Sequence, residues 1–69
     1  METIKLRDEY IKLGQALKAA GLVGSGVDAK IVIQNGHVEV NGTVELQRGK
    51  KLHDGDVITY KGETVRIVK

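Results

Sequence analysis

The chain has 69 residues, a net charge of +2, 41% apolar and 3% aromatic residues, and neither cysteine nor proline. That length allows one small core, and the lack of cysteine excludes a disulfide framework or a thiolate metal site. No apolar run approaches the roughly 20 residues of a bilayer span, and the start lacks the apolar core of a secretory leader, so a cytoplasmic protein is expected.

Thr3 to Leu6 reads as a short edge strand, and Asp8-Glu9 marks a turn or the approach to a helix. Leu13, Ala16, Leu17 and Ala20 then recur at helical spacing on one face, with Gln15 and Lys18 on the other side. Gly21 ends this helix, and Val23-Gly24-Ser25 is a tight connection to a second one. Ser25 is the predicted N-cap. Asp28, three residues on, is placed to answer the cap's own N–H in a weak capping box and to face the positive end of the helix dipole. Ala29, Val32 and Ile33 can face a core together, whereas Lys30 and Gln34 are i,i+4 neighbours on a different face. Asn35-Gly36 supplies the exit, because glycine takes the left-handed conformation that closes a helix at low steric cost.

His37 to Asn41 alternates polar and apolar residues, the period of a half-buried strand. Asn41-Gly42 fits a two-residue type I′ turn, so Thr43 to Gln47 is expected to fold back as a second strand. Leu52, Val57, Ile58, Val65 and Ile67 predict two further strands, divided by a Lys61-Gly62 turn, and no internal repeat or low-complexity segment intervenes.

The charge is unevenly distributed. Lys12 to Asn35 carries Lys12, Lys18 and Lys30 against Asp28 alone, and Gln47 to His53 concentrates Arg48, Lys50 and Lys51 with no acid. If the helices and that loop share one side, the fold has a basic face; a solvated loop has the same composition. His37 and His53 read as surface histidines, since they are far apart and have no metal-ligand spacing. Asp54 and Asp56 flank Gly55 like a carboxylate pair, but Asp56 reads as a turn residue bonding backbone. Gly21, Gly24 and Gly26 have no preceding strand and no following Walker lysine, so they are structural rather than phosphate-cradling.

Taken in order, Ser25, Asp28-Ala29-Lys30 with Ile33, Gly36-His37-Val38-Glu39-Val40-Asn41-Gly42 and Gly55-Asp56-Val57-Ile58 resemble the S4-type RNA-binding domain. That family is marked by a helix pair, a G-x-V-x-V-N-G hairpin and a later G-D-x-I strand. The resemblance runs from about Lys12 to Tyr60 within a single domain spanning 1–69. Leu13 to Lys18, Gly24-Ser25-Gly26 and Arg48-Gly49-Lys50-Lys51-Leu52 make it most similar to the small stand-alone bacterial S4-like proteins.

The resemblance implies an α+β fold of the S4-like (αL motif) type, with two short helices packed on a small, mostly antiparallel sheet. It implies a non-catalytic RNA-binding protein, a monomer without cofactor, metal or membrane contact, in which helices and hairpin form an L-shaped surface. Carried over residue by residue, Lys18, Lys30, Gln34, Arg48, Lys50 and Lys51 are the expected RNA-binding positions. Gly26 departs from the family, because many S4 domains have arginine there; the Arg48 to Lys51 loop is the candidate substitute.

Phosphate recognition makes affinity fall steeply with salt, and duplex RNA is read by shape, 2′-hydroxyls and phosphates. Tyr10 and Tyr60 are the two aromatic residues, too few for a run of stacked bases, so structured RNA is favoured. The N–H groups near Ser25-Gly26-Val27 are a further expected phosphate contact. The expected partner is ribosomal RNA, in an assembling or stalled ribosomal particle. The alternatives are transfer RNA, service as an enzyme accessory, or a protein interaction through the edge strand Thr3 to Leu6.

Overall fold

The computed structural model describes residues 2–69. Within them the elements are β1 (Glu2–Lys5), β2 (Ile11–Lys12), α1 (Leu13–Ala19), α2 (Gly26–Gln34), β3 (Val38–Val40), β4 (Thr43–Val44), β5 (Lys51–Leu52), β6 (Val57–Tyr60) and β7 (Glu63–Val68). One sheet has the order β1-β7-β6-β3-β4, antiparallel except where β1 runs parallel to β7, and β2 pairs with β5 in a separate antiparallel ribbon. The fold is therefore α+β, with two helices on a mostly antiparallel sheet. No helix among the described residues is long and apolar enough to cross a membrane.

Each helix is delimited by its own residues. Ser25 Oγ accepts from the Asp28 N–H at 3.1 Å, which caps α2. Both helices end in Schellman geometry. In α1 the N–H groups of Gly21 and Leu22 donate to Lys18 and Leu17 carbonyls, each at 3.0 Å, and in α2 those of Gly36 and His37 donate to Ile33 and Val32, also at 3.0 Å. Gly21 (φ 74°) and Gly36 (φ 78°) provide the left-handed residue that this closure requires. At the hairpin, Asn41 (φ 52°) and Gly42 (φ 83°) turn the chain so that Val40 faces Thr43, as a type I′ turn requires.

The buried faces converge on one core. Leu13, Ala16 and Leu17 of α1, Ala29 and Ile33 of α2, Val38 and Val40 of β3, Leu52, Ile58, Tyr60, Val65 and Ile67 form a single apolar cluster. Val32 and Ala20, expected inside, pack on its edge half-buried.

Four expectations are corrected. Asp28 does not complete a capping box: the described bond runs from its N–H to Ser25 Oγ, and its side chain is one methylene shorter than the usual Glu. The returning strand of the hairpin is Thr43–Val44 rather than Thr43 to Gln47; Glu45 still donates to Val38 at 3.0 Å, and the chain then turns as Gln47 N–H bonds Glu45 Oε2 at 3.2 Å. This strand lies at the sheet edge, where nothing on its outer side sustains a longer ladder. Leu52 does not join the last hairpin but pairs through β5 with Ile11 of β2, an element with no local signal. The edge strand begins at Glu2 rather than Thr3, and Leu6 follows it with one bond to Val68 at 2.7 Å.

Candidate nucleic-acid interface

The basic loop is fastened to the start of α1. That helix has no side-chain cap; the Leu13 and Gly14 N–H groups donate to the Lys50 and Arg48 carbonyls at 2.9 and 3.0 Å. The loop packs directly on Gly14, where a Cβ would meet Arg48 Cβ and its carbonyl oxygen at 3.6 Å, ordinary van der Waals contact. The loop closes on itself through a Lys50 N–H to Gln47 carbonyl bond at 3.2 Å.

This docking makes an open groove of about 410 Å³ lined by Lys12, Gln15, Lys18, Gly26, Arg48 and the glycines Gly14 and Gly49. Three cations converge on it and no acid lines it. Gln15 is positioned by the Lys12 N–H, which donates to its Oε1 at 3.3 Å. Gly26, exposed at the first position of α2, opens onto the groove with no heavy atom within 4 Å of where a Cβ would stand.

The β2–β5 ribbon extends the cationic surface. Its register sets Ile11 opposite the buried Leu52, and so, by strand alternation, Lys12 opposite Lys51 on the solvent side. Like charges directly opposed destabilise a strand pair, and a bound anion relieves that repulsion. Lys51 Nζ rests 4.9 Å above the centroid of the Tyr10 ring, and His53 lies beside that ring at 6.2 Å.

Of the six residues read from the sequence, the groove therefore unites Lys18 and Arg48, and Lys51 adjoins it through Lys12. Lys30 and Gln34 are exposed on α2 outside the groove lining. Lys50 is exposed too and does not line the groove. Lys12 and Gln15 were not among the expected positions. Their signal was Gln15 and Lys18 sharing the polar side of α1, one turn apart, with Lys12 a turn earlier.

Asp56 has a structural place. Its Oδ2 accepts the His53 N–H at 2.7 Å and its Oδ1 the Asn41 amide at 3.0 Å, while Asn41 Oδ1 accepts the Val57 N–H at 2.9 Å. Partial burial pushes the carboxyl up. The His53 N–H, the Asn41 amide and the charges of His53 and Lys50 outweigh it and hold the group below its ordinary value of 3.8. The two motif halves, the N-G of the hairpin and the G-D of the last strand pair, are thus one bonded unit.

The chain is similar to known proteins. The chain matches the S4 domain over residues 4–68, beyond the Lys12 to Tyr60 span of the resemblance. It is 35% identical over 69 residues to YbcJ of Escherichia coli strain K12, covering 99% of each chain. It is 41% identical over 59 residues to RlbA of Bacillus subtilis strain 168, named as a probable ribosome maturation protein, covering 86% of this chain and 83% of that one. The solution structure of YbcJ, described as revealing an αL motif involved in RNA binding, superposes with a TM-score of 0.77 at 34% identity, over 100% of this chain and 89% of that one.

Proposed function

This chain belongs to the S4 domain family, and from that premise we propose that it is a non-catalytic RNA-binding protein whose target is structured ribosomal RNA in a maturing or stalled ribosomal particle. The carrying observation is the convergence of Lys12, Lys18 and Arg48 on one groove without an acid in its lining. Three cations around a concave path suit the closely spaced phosphates of an RNA helix, where binding gains from releasing condensed counterions. Lys51 continues this path along the ribbon, and Lys30 and Gln34 flank it on α2. The αL motif named for RNA binding in YbcJ and the ribosome-maturation name of RlbA support the choice of RNA and of its ribosomal class. A cytoplasmic monomer accompanies this reading, and transfer RNA is the second candidate target.

The test compares two double variants on a structured ribosomal RNA fragment with transfer RNA as competitor. Lys18→Gln with Arg48→Gln is expected to weaken binding and to flatten the plot of log affinity against log salt by roughly 0.7–0.9 per lost contact, with the melting transition unchanged. Lys61→Gln with Lys69→Gln, equal in charge and outside the groove, should alter binding little. Equal weakening by both pairs would reduce the attraction to net charge and refute the assigned surface.

A further inference from the structure

A second groove, of about 460 Å³, lies on the other side of Gln15, which lines both. Its size falls among small-molecule clefts of roughly 300–1,000 Å³. Ile4, Leu6 and Ile11 supply apolar wall, Tyr10 supplies an aromatic ring, and Lys5 and Arg7 outnumber Asp8 among its charged residues. Tyr10 is 38% exposed whereas Tyr60 is 6% exposed in the core, so Tyr10 is the aromatic residue that solution can reach. Lys51 and His53 pack against Tyr10 and are not among the residues that line this groove.

We propose that this second groove receives one unpaired nucleobase of the RNA whose backbone crosses the basic groove, with Tyr10 as its stacking surface. The inference rests on the RNA-binding reading and adds to it a preference for a helix interrupted by a bulged or flipped nucleotide. The occupant follows from what adjoins the groove. A strand leaving the Lys12, Lys18 and Arg48 path past Gln15 enters a cleft that combines an aromatic ring, an apolar wall and two cations, as a base and its phosphate require. The Lys51 ammonium on Tyr10 holds the ring by a cation–π contact before any base arrives, and Gln15 offers an amide to a base edge at the junction. A single aromatic surface suits one extruded base, whereas a continuous single strand needs several.

The experiment uses two RNA hairpins of equal length, one fully paired and one with a single 2-aminopurine bulge. Binding is measured by anisotropy, and stacking by 2-aminopurine fluorescence. The expected result is tighter binding of the bulged hairpin with a changed 2-aminopurine signal. Tyr10→Ala should lose that preference, weakening the bulged hairpin roughly 5- to 100-fold on the precedent of base–aromatic stacking while the paired hairpin binds as before. Tyr10→Phe, which keeps the ring, should retain it. If both hairpins bind the wild type equally, or Tyr10→Ala weakens both alike, the nucleobase site is refuted and the RNA-binding reading stands. If neither hairpin nor ribosomal RNA binds, the reading itself falls and takes the inference with it. Circular dichroism melts of each variant ensure that a loss of binding is not a loss of fold.

Discussion

Asn41 and Asp56 show how two residues far apart in sequence become one structural unit. Asn41 occupies the left-handed position of the hairpin turn and spends both ends of its amide on the β5–β6 segment, one on Asp56 and one on Val57. An aspartate at position 41 would lose the donor to Asp56, because an amide can both give and accept whereas a carboxylate only accepts. The Asp56 carboxyl is held below its ordinary value of 3.8, so its folded pKa is lower than its unfolded one. Its ionised form therefore adds stability that is fully present above pH about 3.8 and is lost as pH falls through the lower folded value. The stability gap between the wild type and Asp56→Ala, read from urea melts, should be widest near neutral pH and narrow through the acid range. A gap that stays constant with pH would mean that the charge of Asp56 contributes nothing.

At the scale of elements, the helices differ in what starts them. α2 carries its own cap, and Ser25→Ala is expected to cost on the order of 1 kcal/mol, because it strips the acceptor from the Asp28 N–H. A urea midpoint identical to the wild type would count against that cap. α1 borrows its acceptors from the Arg48 and Lys50 carbonyls, so the basic loop and the first turn of α1 order together. The coupling has a functional side: the loop that brings Arg48 to the groove is held by the same helix that presents Lys18.

For the whole molecule, the unequal burial of the strands predicts unequal rigidity. β6 and β7 lie inside the five-stranded sheet and contribute Ile58, Val65 and Ile67 to the core, whereas β4 is an edge followed by exposed chain from Leu46 to Lys50. Hydrogen exchange should therefore be slowest at the amides of Ile58, Val65 and Ile67 and much faster from Leu46 to Lys50, because local opening there exposes little apolar surface. Uniform protection would contradict this hierarchy. The parallel β1–β7 pair brings the two ends of the described chain together at one side of the sheet, which makes Glu2–Lys5 part of the sheet rather than an appendage.

The sequence by itself determined whatever depends on neighbours within a few residues. Ser25 as a cap, Gly21 and Gly36 as helix ends, Asn41-Gly42 as a tight turn and the apolar faces of both helices follow from capping chemistry, positive φ and the 3.6-residue period. The ordered motifs likewise carry the family in the sequence alone. Tertiary structure decided what depends on distant registers. The two-residue strands Ile11–Lys12 and Lys51–Leu52 are too short to carry a period, and their pairing is set by where Ile11 and Leu52 can both reach the core. That packing put Lys12 opposite Lys51 and laid the basic loop over Gly14, joining Lys12, Lys18 and Arg48 in one groove and leaving Lys30 and Gln34 outside it. Local patterns report which side chains are polar, but only the long-range contacts of the core decide which of them become neighbours.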